Sequence, residues 1–486
     1  MQWVSNLFKY HKIPLLFIVL SCGFYSAFAY DLARTDVTKL LTLYIVLFVF
    51  TSQLFKTSGF YFRLLVIASI AFRLCFIFSI PNLSQDFYRF IWDGQMIRIG
   101  FNPYLTTPDF QMELGILSGF PNQIELYNGM GELSASHFSN YPPLHQLFFV
   151  IGNLFPGKSI LSSVIGMRLI IIAADIGTLY FGKKLLERLK LPSKHIFWYI
   201  LNPFIIIELT GNLHFEGVMI FFLIWSLYLL RSGKWQWAAV IFACSISVKL
   251  IPLMFLPLFF WWFINKPKRN SVAKTLNQPV VKSEDAEPQK HQKGLLRLIS
   301  FYGIVLATTL LLFLPFFSVE FVTNYSKTVG LWFGNFEFNA SIYYLARAIG
   351  YGITGYNEIA IIGKVLPLIA LLIILGLSFM RNNDSIPNLI SSMLLAFTFY
   401  LFLSTTVHPW YIATLVIFSV FTNYKFPLIW SLVIVLSYMA YSNAENSENL
   451  WIVGVEYVIV FSVFIWELFY KKDSTKKANS KKLASS

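Results

Sequence analysis

Runs of about 20 apolar residues recur along this whole chain, each long enough to cross a hydrocarbon core of about 30 Å. Lipid offers no partner to a free N–H or C=O, so such runs must close their hydrogen bonds internally, as helices. The expected fold is therefore all-α and polytopic, a bundle of about 14 transmembrane helices. The spans are expected near 13–30, 40–55, 62–80, 165–181, 196–211, 216–230, 235–249, 251–265, 298–317, 359–380, 387–405, 409–422, 426–442 and 450–470. Composition agrees, since only 13% of the 486 residues are charged against about 25% in a soluble domain. The net charge of +14 does not point to nucleic acid, because the Lys and Arg sit in short loops between the apolar runs. Cys22, Cys75 and Cys244 fall inside apolar segments with no metal or disulfide spacing, and read as small core residues. The first run ends in "YSAFAY", and further spans follow at once, so it is expected to stay as an uncleaved first helix.

Charge decides which side each loop faces. With charges near a span end counted to the adjoining face, one face collects 27 Lys and Arg and the other 10, while Arg73 lies deep inside a span. The positive-inside rule then places both termini in the cytoplasm and a long loop, near 81–164, outside. Four units are expected. Residues 1–265 form an N-terminal membrane module carrying the outward loop, and residues 298–470 form a C-terminal module. Between them 266–297 has no apolar period and reads as a cytoplasmic disordered linker, and 471–486 is a basic tail. The stretch 235–265 is too long for one crossing and basic at both ends, so it is expected to be a hairpin of two short helices. Its tip would hold Lys249 at or just beneath the outer leaflet.

The outward loop opens with "SQDFYRFIWDGQMIRIGFNPY", residues 84–104. In a helix, Asp86 and Asp93 fall two turns apart on one face with Arg89 between them, an acid–base–acid ladder. A bland surface salt-bridge row is worth 0 to about 1 kcal/mol. Here Phe87, Phe90, Ile91 and Trp92 flank the ladder, at an interface where a carboxylate is costly to dehydrate. Other polar groups gather on the same side. "ELTGNLHFEG" carries His214 and Glu216, "STTVHPWY" carries His408, and "SNYPPLHQLFF" carries Tyr141. A long outward segment brings Lys327 and Arg347. A lone His or aromatic at a span end is usually interfacial. Several such loops converging on one face point to a site. Lys249, with Arg347 and Lys327, suits a lipid-linked phosphate at the outer leaflet boundary. Asp86 suits the proton of a hydroxyl nucleophile. Together they describe group transfer from a lipid phosphate to an alcohol.

The segments "DFYRFIWDGQMIRIGFNPY", "YPPLHQ", "ELTGNLHFEG" and "HPWY", in this order, resemble the GT-C superfamily of polyprenyl-phosphate-sugar-dependent glycosyltransferases, and within it the bacterial mannosyltransferase-like branch. The resemblance implies a GT-C-like helical bundle and hexosyltransferase activity on the outward face of the bacterial inner membrane. It also implies a polyprenyl-phosphate sugar donor, with mannose the first suggestion, and inversion at the anomeric carbon. The acceptor would be a glycan, a lipid or a protein. On this resemblance Asp86 takes the catalytic carboxylate, and Arg89 and Asp93 belong to the same motif. His214, Glu216 and His408 match motif positions without an assigned role. Gln85 precedes Asp86, so the Asp-x-Asp form of some members is missing, and no cofactor or obligatory metal is expected. Rival readings are a lipid-linked glycan flippase, which should show paired interrupted repeats, a glycan polymerase or ligase, and a non-enzymatic membrane subunit.

Overall fold

The computed structural model describes residues 11–115, 121–264, 286–334, 336–443 and 445–470. In chain order its principal helices are α1 (Lys12–Asp31), α2 (Val37–Ser58), α3 (Phe62–Leu74), α4 (Asp86–Arg98), α5 (Pro143–Gly152) and α6 (Ile160–Arg188). Then follow α7 (Pro203–Gly211), α8 (Glu216–Arg231), α9 (Trp235–Val248), α10 (Ile251–Ile264), α11 (Ala286–Phe313) and α12 (Val319–Gly334). The last are α13 (Ile342–Thr354), α14 (Ile359–Phe379), α15 (Ile386–Leu403), α16 (Pro409–Val420), α17 (Phe426–Ser442) and α18 (Leu450–Phe469). Among the described residues no strand forms, and the one bridge joins Phe338 to Thr406.

The all-helical membrane architecture is as expected, but fewer of the helices are full-length crossings. Among the described residues, seven are long and apolar enough to cross a membrane, or eight if the bent pair α7–α8 counts as one span. Helices also occupy the other expected spans, but they are shorter. Helix breakers explain one of them. Pro252 and Pro257 lack an N–H, and the first part of α10, Ile251–Phe259, winds as a 3₁₀-helix. Helix α17 changes to a 3₁₀-helix at Ile434, with no proline at that junction. The chain breaks at Lys249, whose backbone is extended between α9 and α10. Most of the expected linker 266–297 lies outside the described residues, but 286–297 belong to α11, so the ordered C-terminal module begins earlier than its apolar run. The tail 471–486 lies outside the described residues.

The expected outward loop folds into a helical cap. Helix α4 packs against α5 and against Gln123–Met130. Gly94 lets α5 approach closely, since a Cβ there would stand 2.8 Å from the Phe149 carbonyl. Below the cap lies one large apolar core, with Leu209, Leu213 and Phe215 among its fully buried members.

The break in the bent pair positions the polar turn. Helices α7 and α8 meet at 114°, and Ile206–Gly211 is wound as a π-helix, a form often found at functional sites. Leu213 sits in the turn with φ +61° and no exposure. A leucine rarely adopts that conformation, so the surroundings hold it there. Arg168 of α6 is one such hold. Fully buried, it donates from Nε to Thr210 O (2.9 Å) and from Nη2 to Gly211 O (2.9 Å). Its Nη1 donates to Ile77 O (3.1 Å) and Ser79 O (2.7 Å). The last carbonyls of α7 have no partner within their helix, and Arg168 joins them to the segment that leads into Asp86.

Candidate active site

Three side chains fix the approach to Asp86. Arg168 holds Ser79, Asn82 donates to Phe28 O (2.7 Å) and Leu32 O (3.2 Å) at the end of α1, and Asn212 Oδ1 accepts from Leu83 N (3.2 Å). Asp86 then begins α4, where the positive end of the helix favours a carboxylate. Burial opposes that and pushes the Asp86 carboxyl up to about 6, against the pull of Lys249 and Arg34 and with a further push from Glu216.

The expected ladder divides in two. Arg89 turns to Asp93, with Nε 2.7 Å from Oδ1 and both side chains buried. Asp93 Oδ2 also accepts from Ser139 Oγ (2.6 Å) and Gln146 Nε2 (3.0 Å). The remaining arm of Arg89 donates to the carbonyls of Ser134 and His137. This knot ties α4 to 134–139 and to α5. The cations whose charges reach Asp86 are Lys249 and Arg34, each from a different element.

Lys249, at the break between α9 and α10, pairs with Glu216 at 2.8 Å. Its side chain is 20% exposed and that of Glu216 is fully buried. Lys249 also faces the Tyr141 ring at 6.0 Å. Tyr141 is set by the cap: its carbonyl accepts from Tyr104 (2.5 Å) and its ring meets Phe90 edge-on. His214 and His408 stack on opposite sides of the sequence, one from the α7–α8 turn and one before α16, yet both lie on Trp410. Their ring centroids are 3.7 Å and 4.5 Å from it. Burial, helped by Lys249, pushes the His408 imidazole down to about 3, so it stays neutral. His214 Nε2 is 3.7 Å from Glu208, which accepts from Tyr438 (2.8 Å).

Asp86, Lys249, Glu216, Tyr141, His214 and His408 are thus brought together, while Arg89 and Asp93 stand one layer away. Arg347 and Lys327 are placed elsewhere. Arg347 pairs with Glu337 and lies over Tyr344 at 4.5 Å. Lys327 is exposed on α12, which meets the cap through Asn324 donating to Tyr104 O (3.1 Å). The residue missed by sequence reasoning is Arg34, which stacks over the Tyr441 ring at 3.1 Å. In the sequence it is one of several outward charges, and only its partner more than 400 positions away distinguishes it. Among the described residues no group of three or more His, Cys, Asp or Glu is arranged to hold a metal ion.

Residues 27–265 match the family described as alpha-(1->6)-mannopyranosyltransferase, N-terminal domain. Two relatives carry the name alpha-(1->6)-mannopyranosyltransferase A. That of Mycobacterium tuberculosis is 22% identical over 184 residues, 38% of this chain and 34% of the relative. That of Corynebacterium glutamicum is 22% identical over 186 residues, 38% of this chain and 36% of the relative. The match spans about a third of the length of these curated relatives. No solved structure matches. The resemblance to a bacterial mannosyltransferase-like branch is borne out, and the matched region contains Asp86, Arg89, Asp93, Tyr141, His214, Glu216 and Lys249 but not His408, Lys327 or Arg347.

Proposed function

We propose, proceeding from that match, that this chain is a membrane mannosyltransferase of GT-C type, taking its sugar from a polyprenyl-phosphate donor on the outward face. The observation that carries the reading is one half-buried carboxylate, Asp86, within electrostatic reach of two cations held by different elements, Lys249 and Arg34. In the reaction the acceptor hydroxyl attacks the anomeric carbon and Asp86 takes its proton as the new carbon–oxygen bond forms. The bond from that carbon to the phosphate oxygen breaks, and its electron pair leaves with the polyprenyl phosphate. Attack opposite the leaving group inverts the anomeric centre. The leaving phosphate gains negative charge, and a cation placed beforehand stabilises that charge most. Lys249, the more exposed partner of its ion pair, is the group in position for it. The test is to incubate membranes containing the protein with radiolabelled polyprenyl-phosphate mannose. Label should pass to an acceptor fraction without added nucleotide sugar. Transfer that requires a nucleotide-linked mannose instead would refute the donor assignment.

Lys249→Met keeps most of the stem and removes the charge. The variant leaves the buried Glu216 without its counter-charge and should melt lower, and its folded fraction should use the donor at least about tenfold less well, the scale of one lost charge-assisted hydrogen bond. Unchanged donor dependence would reduce Lys249 to an interfacial anchor with a snorkelling side chain.

Orientation is tested separately, in a background without the three native cysteines. Cys in place of Asn122 should react with an impermeant thiol reagent from outside, and Cys in place of Ala286 should not. The motive is the 27-to-10 division of Lys and Arg. Labelling of the second position would place the site on the cytoplasmic side.

A further inference from the structure

Glu216 has no role in the chemistry above, yet it is the partner of the one cation placed for the phosphate. It lies in the first turn of α8, fully buried, 2.8 Å from Lys249 Nζ. A buried carboxylate and an ammonium that close attract each other strongly, and a second anion must draw the ammonium toward itself against that attraction. Lys249 keeps 20% exposure, so it has an open side from which such an anion can arrive. The two partners also differ in freedom. Lys249 follows the end of α9 in extended backbone on a long flexible stem, whereas Glu216 is fixed by the strained turn at Leu213 and by α8.

We infer that Glu216 is a positioning residue that holds Lys249 in the empty site and competes for it with the phosphate of a polyprenyl lipid. The inference rests on the reading of Lys249 given above. Two consequences follow from the competition. With no lipid bound, Lys249 is kept from swinging to Asp86 and quenching the base. After transfer, the lipid monophosphate carries more negative charge than the donor did, and a cation with no competitor would retain it. Glu216 reclaims Lys249 and lets the product go. Release then depends on a carboxylate that touches neither sugar nor acceptor.

The experiment uses the full chain in nanodiscs and farnesyl phosphate as the probe, with binding measured for wild type, Glu216→Gln, Glu216→Asp, Lys249→Met and the Glu216→Gln/Lys249→Met double variant. Glu216→Gln should bind farnesyl phosphate about tenfold more tightly, the scale on which one charged competitor shifts an affinity. It should also lower KM for the donor and kcat together, because release slows. Glu216→Asp keeps the charge and should stay near wild type. In the Lys249→Met background, Glu216→Gln should have no effect on farnesyl phosphate binding. Monodisperse elution and a single cooperative melting transition separate these effects from misfolding, and Glu216→Met, of similar size and uncharged, carries the test if the Gln variant fails to fold: it should likewise bind farnesyl phosphate more tightly. If Lys249→Met weakens binding but Glu216→Gln leaves it unchanged or weakens it, competition is refuted while the role of Lys249 stands. If Lys249→Met leaves binding unchanged, the phosphate reading itself falls, and this inference with it.

Discussion

Asp86→Asn is expected to lower turnover by about 10² to 10⁴-fold with the protein folded and the donor still bound, the usual contribution of a placed general base. Asparagine keeps the shape of the side chain and cannot accept the proton. Asp86 has few structural duties to lose: its backbone N–H donates to Ser84 Oγ (3.3 Å), a contact the substitution leaves alone. A hydroxyl is a very weak acid, so the proton must leave as the carbon–oxygen bond forms, and the base must already be ionised at working pH. Burial raises the Asp86 carboxyl to about 6. It is therefore largely ionised at pH 7 and loses its charge as the pH falls through 6. The acid limb of the kcat/KM profile should lie near pH 6, about two units above that of an ordinary Asp. The residual activity of Asp86→Asn should lack that limb. An acid limb that survives the substitution would assign it to another group.

Asp93→Asn is expected to fail differently, by loss of the fold. Asp93 accepts from Arg89, Ser139 and Gln146 while fully buried. An amide in its place turns a donor toward one of those donors and leaves Arg89 buried without a counter-charge. Breaking such a pair from one side destabilises by about 3 to 5 kcal/mol. The knot holds α4 against α5, so the cap should loosen and the melting transition of the purified protein should drop. Activity per folded molecule should change far less than in Asp86→Asn. A stable, fully folded Asp93→Asn without activity would exchange the roles of the two carboxylates. On the proposed function, the paired acids and arginines at residues 84–104 divide their work: the first carboxylate serves the reaction and the second fastens the helix that presents it.

The seven-residue spacing of Asp86 and Asp93 was legible as one helix face, and α4 has that face. The pairing along it was not. At i+3 and i+4 Arg89 can reach either carboxylate, and the choice was made by Ser139 and Gln146, which satisfy the outer oxygen of Asp93 from more than 40 positions away. The break at Lys249 was legible because two basic ends and a proline leave one chain path. Its partner Glu216 was visible in the sequence as a motif residue without a role, and only the return of α8 beside α9 supplied one. Lys327 and Arg347 show the reverse. Their charges suggest phosphate binding, yet Arg347 is taken up by Glu337 and Lys327 lies exposed on α12.

By itself, then, the sequence determined whatever depends on neighbours along the chain. Apolar runs compel helices in lipid, a carboxylate periodicity selects a helix face, and a proline or a basic end marks where a helix stops. The length of each crossing was less determined, because an apolar run reads the same whether it winds as an α-helix, as a 3₁₀-helix or as a broken span, as in α10, α17 and α7–α8. Tertiary structure alone decided which charges meet. An ion pair forms only where two side chains reach each other in a dry place, and the attraction falls too steeply with distance and solvent for sequence order to reveal it. Arg34 over Tyr441, Arg168 on four carbonyls and Glu216 on Lys249 are contacts of that kind. They depend on how the helices are stacked, and the stacking is set by the whole core rather than by any one segment.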